Sequence, residues 1–182
     1  LLGIEKLRLV GRQRLHPGFE VRCNVNDERW THARRQKVMI NCSDAMGGVF
    51  TATQGLKTAW NSPLDERGVI GHAMGLAMAG SRCVAEVQFC DYIYNTIDLL
   101  KIAGNTCWAT AGDWAMPMVV MTPVGSGIRG SIYHSHSFDA MMTHIPGWKI
   151  VMPSTPLDAY GLMLAAIKDP TPVMFLKPKS AT

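Results

Sequence analysis

The stretch NSPLDERGVIGHAMGLAMAG, residues 61–80, sets Asp65, Glu66 and Arg67 directly before a run of small and apolar residues. Ser62 reads as the N-cap of a helix over 63–79, with Pro63 at its first position. Asp65, three residues after that cap, approximates a capping box. Asp65 thus has a structural task, whereas Glu66 enters a helix that is apolar on all sides, the kind that is normally buried. The helix dipole there favours the carboxylate by ~0.3–1 kcal/mol. Burial favours the neutral acid and prevails in a dry site. A carboxyl balanced this way can exchange a proton with a ligand; the alternative is that Glu66 helps to cap the helix or meets a buried Arg. Arg67, turned inward, would oppose the exchange. Gly68, Gly71, Gly75 and Gly80 are read as permitting close backbone approach.

Other candidates follow along the chain. Glu86 and Gln88 share one face of an apolar strand and need partners, from neighbouring loops or from a ligand. Gln88 lies nearer the strand's carboxyl end, and Tyr92, just beyond it, could form a pocket wall. GSGIRG leads to His134 and His136. His134 can serve as an acid/base or charge-stabilising group, since imidazole titrates near neutrality, or as an ordinary loop residue. The two histidines lack a third ligand at a recognisable spacing, which argues against zinc. GSGIRG lacks the Lys-Ser/Thr end of a phosphate-binding loop. His72 reads as a packed, hydrogen-bonded residue and the methionines as core filler.

The elements that must position these residues alternate. KVMIN, RCVAEVQF, MPMVVMTPVG, WKIVMP and PVMFLK read as strands. In RCVAEVQF, Cys83, Ala85, Val87 and Phe89 share one face. Helices are expected over 63–79, after Asp91 as N-cap to about Gly104, in HSFDAMMTHI, and in PLDAYGLMLAAIK capped by Ser154. GGVFTATQGLKTAW reads as a loop entering a short helix. The alternation implies an α/β fold, a mostly parallel sheet with helices on both faces. Ligands in such sheets bind beyond the carboxyl ends of the strands, here the loops after Phe89, Pro123 and Pro153.

At 182 residues and 47% hydrophobic, the chain can fill one core. Residues 1–37 hold nine Lys/Arg against four acids, a net of +5, while the whole chain carries +4. This basic segment lacks aromatic interleaving and any nucleic-acid signature, so it reads as a solvated face or leader. The five cysteines form no C-x-x-C pair, which argues for a reducing compartment. The longest apolar run is too short to span a bilayer, and no secretory leader is evident. The chain is therefore expected to be neither secreted nor bound to membrane or nucleic acid.

GGVFTATQGL, SPLDERGVIGHAMGLAMAG, CVAEVQFCDYIYNTID and the segment from TPVGSGIRG to FLKPK occur in this order. Together they resemble the pyrimidine-binding domain of the beta subunit of thiamine-diphosphate-dependent 2-oxoacid dehydrogenases. EVQFCDYIY is closer to the branched-chain member, 2-oxoisovalerate dehydrogenase, than to the pyruvate member. The resemblance covers about residues 45–179; residues 1–37 stay unassigned and 38–182 form the pyrimidine-binding domain, with a transketolase-like fold. It implies that Glu66 hydrogen-bonds the aminopyrimidine ring of thiamine diphosphate and favours the imino tautomer that activates the cofactor. It implies that Leu64, Gln88 and Tyr92 line the ring's pocket and that His134 stands near the substrate and the incoming lipoyl group. A potassium ion held by backbone carbonyls would fall around Met116, Met118 and Val119, and around Ala166, Asp169 and Thr171.

The same resemblance implies an alpha subunit that binds diphosphate and magnesium, an alpha2beta2 assembly, and a lipoyl-bearing acyltransferase core. The setting would be the cytoplasm of a prokaryote or the mitochondrial matrix of a eukaryote. The activity would be oxidative decarboxylation of a branched-chain 2-oxo acid with acyl transfer to lipoyl. Several positions depart from the pattern. His136 stands for a usual Gln, Met121 for a common Arg, and Cys42-Ser43-Asp44 for Gly-Glu-Asp. Residues usual between Trp60 and Asn61 are missing, and the family's C-terminal domain is absent from these 182 residues. Those departures motivate an alternative, a truncated remnant or fragment keeping the fold and a subunit interface without turnover.

Overall fold

The computed structural model describes residues 37–41, 52–127 and 130–179. Residues 1–36 of the basic segment 1–37 and the Cys42-Ser43-Asp44 departure lie outside the described residues, and Lys37 opens the first strand. Six strands form one sheet: β1 (Lys37–Asn41), β2 (Ala59–Asn61), β3 (Arg82–Glu86), β4 (Met118–Val124), β5 (Lys149–Val151) and β6 (Val173–Pro178). Their order is β2-β1-β3-β4-β6-β5, and every pairing is parallel. The chain runs outward from β1 to β2, then returns past β1 to β3. The carboxyl ends of β1 and β3 therefore flank a topological switch point, where ligands bind in open parallel sheets.

Helices cover both faces. α1 (Glu66–Met78) and α2 (Ile97–Ala109) pack on one face, with the single turn α3 (Asp139–Met142), and α4 (Pro156–Lys168) covers the other. Strand alternation explains the division. Cys83, Ala85 and Val87 join Met118, Val120, Met174 and Leu176 beneath α1 and α2. Val84, Val119, Met121, Val173 and Phe175 meet Ala159, Met163 and Ala166 of α4. Met121, one of the departures noted above, is thus a core residue, 3% exposed.

α1 shows how burial outweighs propensity. Its Gly68, Gly71 and Gly75 each cost about 1 kcal/mol against Ala in a helix interior. Val69 and Ile70 are fully buried, and each such side chain stabilises by about 1.5–3 kcal/mol. The expectation of burial on all sides is corrected, because Gly71, His72, Gly75 and Met78 are exposed. A Cβ added at Gly71 or Gly75 would meet nothing within 4 Å, so neither glycine mediates a close approach among the described residues. His72 is hydrogen-bonded to Gly68 as expected, Nδ1 to O at 2.9 Å, but on the exposed side.

Several boundaries move. The helix starts at Glu66 with Asp65 as its N-cap, whereas Ser62 donates to the Pro63 carbonyl at 2.8 Å. The loop 52–58 leads to β2 rather than to a helix. Asp91 caps nothing: a 3-10 helix spans Cys90–Thr96, and α2 begins at Ile97. Thr155, not Ser154, caps α4 by accepting the Asp158 N–H at 3.1 Å. β5 is a half-exposed edge strand rather than a buried one, because it pairs with β6 alone. Among the described residues, no helix is long and apolar enough to cross a membrane.

Candidate functional site

The N-terminus of α1 divides its charged residues by task. Asp65 Oδ1 accepts the Arg67 N–H at 3.1 Å, satisfying one of the unpaired donors of the first turn. The Arg67 guanidinium turns away, donating to Asp98 Oδ1 at 2.6 Å, Asp98 Oδ2 at 2.9 Å and the Asn95 carbonyl at 2.7 Å. This bidentate pair holds the Asp98 carboxyl below its ordinary range, first through the hydrogen bond from Arg67. It also ties the start of α1 to the start of α2. Arg67 thereby has its role, and it does not turn inward toward the site. Glu66 stands half-buried at the first helical position, and Leu64, just before it, is 60% exposed.

Beyond β3 and β4 a second group assembles. The Tyr92 hydroxyl lies 2.8 Å from His134 Nε2, and His134 Nδ1 lies 2.9 Å from the Gly130 carbonyl. A carbonyl can only accept, so Nδ1 carries the proton and Nε2 of the neutral ring accepts the Tyr92 O–H. The Phe89 ring meets His134 edge-on at 4.6 Å between centroids and Tyr92 at 5.9 Å. These contacts orient the imidazole from three sides. Gly130 permits this geometry, since a Cβ there would fall 2.5 Å from His134 Cβ. Gln88 is half-buried just past β3, near Phe89.

Two residues of this cluster have roles that the sequence did not reveal. Lys179, buried after β6, donates to the Gly125 carbonyl at 2.7 Å and to the His134 carbonyl, binding the loop after β4 to the strand ends. Burial lowers its pKa below the ordinary value, although Asp91 opposes this. Asp91 Oδ1 accepts the N–H groups of Ser135 and His136, each at 3.2 Å, and lies 3.7 Å from His136 Nδ1. Asp91 therefore positions the histidine loop instead of capping a helix. The only available signal was an acid and a lysine each sitting just past an apolar strand. The loops after Phe89 and Pro123 take part, while that after Pro153 leads into α4 at the sheet edge.

Glu86 is the outlier. It is 2% exposed, and neither carboxylate oxygen has a hydrogen-bond partner among the described residues. Burial raises its pKa above the ordinary 4.5, with the charge of Lys177 working the other way. Lys177, on the same sheet face, has its pKa lowered by burial. A carboxyl with a raised folded pKa binds more protons folded than unfolded, so its contribution falls as pH rises above about 4.5. Glu86→Gln removes this loss. The melting temperature of the variant minus that of the parent is expected to grow more positive from pH 4.5 upward; a flat or declining difference contradicts the assignment. Cys83 and Cys90 are pushed by burial up to about 12, so neither supplies a thiolate nucleophile.

The transketolase pyrimidine-binding domain model matches residues 31–182. The beta subunit of 2-oxoisovalerate dehydrogenase from Bacillus subtilis is 42% identical over 142 residues, covering 74% of this chain and 43% of the relative. Its counterpart in Pseudomonas aeruginosa is 44% identical over 140 residues, covering 73% and 40%. The pyruvate dehydrogenase E1 component subunit beta of Acholeplasma laidlawii is 41% identical over 140 residues, covering 73% and 43%. The chain thus spans about two-fifths of the length of these relatives. Among solved structures, a split-gene transketolase described as an inactive beta4 tetramer gives a TM-score of 0.60 at 14% identity, covering 79% of this chain and 45% of that one. Transketolase from Campylobacter jejuni gives 0.58 at 11%, covering 77% and 22%. The parallel sheet, the switch point between β1 and β3, and a family match over most of the length lead to one assignment: the chain belongs to the transketolase pyrimidine-binding domain family.

Proposed function

We propose that this chain forms the aminopyrimidine half of a thiamine-diphosphate site in a dehydrogenase that oxidatively decarboxylates a branched-chain 2-oxo acid and passes the acyl group to a lipoyl carrier. The observation that carries the reading is the division of tasks at α1. Asp65 caps the helix, Arg67 is engaged by Asp98, and Glu66 stands half-buried at the first helical position. A carboxyl at this place suits a ring nitrogen, and the apolar Leu64 and half-buried Gln88 and Tyr92 suit the faces and edge of a flat heterocycle. Bound thiamine diphosphate supplies the carbanion stabilisation. Glu66 would hold the proton shared with the ring nitrogen, the other three would orient the ring, and His134 would meet the substrate.

The exposed Leu64 and the exposed outer side of α1 support a site completed by another chain. That chain would be an alpha subunit binding diphosphate and magnesium, within an alpha2beta2 assembly serving a lipoyl-bearing acyltransferase. Relatives named for 2-oxoisovalerate support the branched-chain substrate. The cytoplasm or the mitochondrial matrix is the proposed setting, in keeping with a relative from Arabidopsis thaliana whose name includes "mitochondrial". The test is calorimetric titration of thiamine diphosphate and magnesium into this chain, an alpha subunit, and the reconstituted pair. The pair is expected to bind at least about tenfold tighter than either chain alone, a gain of about 1.4 kcal/mol. Equal affinity for the pair and for the alpha subunit alone would assign the chain to a non-catalytic remnant.

A further inference from the structure

The resemblance to 2-oxoacid dehydrogenases leads one to expect potassium among the carbonyls of Met116, Met118, Val119, Ala166, Asp169 and Thr171. Around the end of α4 a different cation is already in place. Arg82, the first residue of β3, is 9% exposed, and its Nη1 donates to the Ile167 carbonyl at 2.5 Å and to the Asp169 carbonyl at 3.1 Å. These carbonyls belong to the last turn and C-cap of α4, where helix carbonyls lack intrahelical partners and the dipole is negative. A guanidinium satisfies both needs.

Several neighbouring groups are already engaged. The Met116 carbonyl accepts the Met118 N–H at 2.7 Å, the Pro170 carbonyl the Met116 N–H at 3.0 Å, and the Ala166 carbonyl the Asp169 N–H at 3.2 Å. The Asp169 carboxylate is engaged as well. Its Oδ2 meets Lys149 Nζ at 2.6 Å, and its Oδ1 accepts from Thr171 N at 2.9 Å and Thr171 Oγ1 at 2.6 Å. Among the described residues, Arg82 and Lys149 stand here with the Asp169 carboxylate, and Asp113 lines the cleft beside Arg82. A potassium ion would have to displace the guanidinium to gain the Ile167 and Asp169 carbonyls as replacements for its hydration shell. The residues present do not fit potassium.

Arg82 also lines a cleft of about 500 Å³ together with Met78, Trp114, Met116 and Pro170. Removing its side chain would open the carbonyls to that cleft, and so to ions from solution.

We propose that Arg82 is the built-in replacement for a monovalent cation at the end of α4, which makes the folding of this chain independent of potassium. The inference starts from the family expectation of potassium and is independent of the decarboxylation reading, since its readout is the stability of the chain alone. Thermal unfolding of the full chain is measured in potassium, sodium and choline chloride at equal ionic strength. The unaltered chain is expected to melt at one temperature in all three salts. Arg82→Met is expected to melt about 2–4 °C lower in choline and to recover part of that loss in potassium. A potassium-specific rise in the unaltered chain overturns the proposal, and so does an Arg82→Met variant that gains nothing from potassium. Should Arg82→Met fail to fold, Arg82→Lys, which keeps a point charge at the carbonyls, is expected to stay insensitive to potassium; a potassium-specific rise in that variant likewise overturns it.

Discussion

Glu66→Gln in the reconstituted alpha–beta complex is expected to lower the rate of decarboxylation at saturating cofactor by about 100-fold or more. Positioned proton exchange contributes ~10²–10⁴-fold in enzymes generally. Glutamine preserves the size and the hydrogen-bonding reach of the side chain but cannot exchange a proton. Cofactor affinity is expected to fall as well, since a hydrogen bond to a charged group contributes about 1.5–3 kcal/mol. Saturating the complex with thiamine diphosphate separates the two effects. The change spares the cap, which belongs to Asp65, and the tie to α2, which belongs to Arg67. Near-parental turnover at saturation would assign the proton to another group.

The second large effect concerns stability. Gly104→Ala is expected to cost on the order of 3 kcal/mol or more, at the upper end of overpacking losses. Gly104 lies buried in α2, and a Cβ there would stand 2.3 Å from the Pro146 carbonyl oxygen and 2.5 Å from Trp148 Cδ1. Neither neighbour can move freely. Pro146 offers backbone, and Trp148 is held by donating Nε1–H to the Leu100 carbonyl at 2.8 Å. Gly147 faces Gly104 with φ +90°, a conformation that favours glycine. The gain of about 1 kcal/mol from alanine's helix propensity does not offset such a clash. Gly75→Ala supplies the opposite sign. It lies in α1 with nothing among the described residues within 4 Å of an added Cβ, so it is expected to stabilise by about 0.5–1 kcal/mol. Urea denaturation of the two variants beside the parent checks both signs. A neutral Gly104→Ala would mean that the loop at 146–148 does not dock on α2 as described.

The parallel sheet was legible because each central strand is a continuous apolar run, as expected when helices cover both faces. The placing of Glu66 near the start of a helix was legible too, although the cap proved to be Asp65 rather than Ser62. What sequence could not reveal were the pairings made by distant residues. Tyr92 and His134 are 42 positions apart, and Arg82 and Ile167 are 85 apart. Asp91 looked like a helix cap because an acid before a helical pattern usually is one, yet tertiary contact with the histidine loop claimed its carboxylate. β5 resembled a buried strand, and its place at the edge depends on strand order, which the apolar pattern does not encode.

The most direct measurement is a structure of the reconstituted complex with thiamine diphosphate bound. A Glu66 carboxyl oxygen is expected at hydrogen-bonding distance, about 2.7 Å, from a nitrogen of the aminopyrimidine ring, with Leu64, Gln88 and Tyr92 around the ring. A ring held by a different carboxylate, or bound away from the start of α1, would contradict the account.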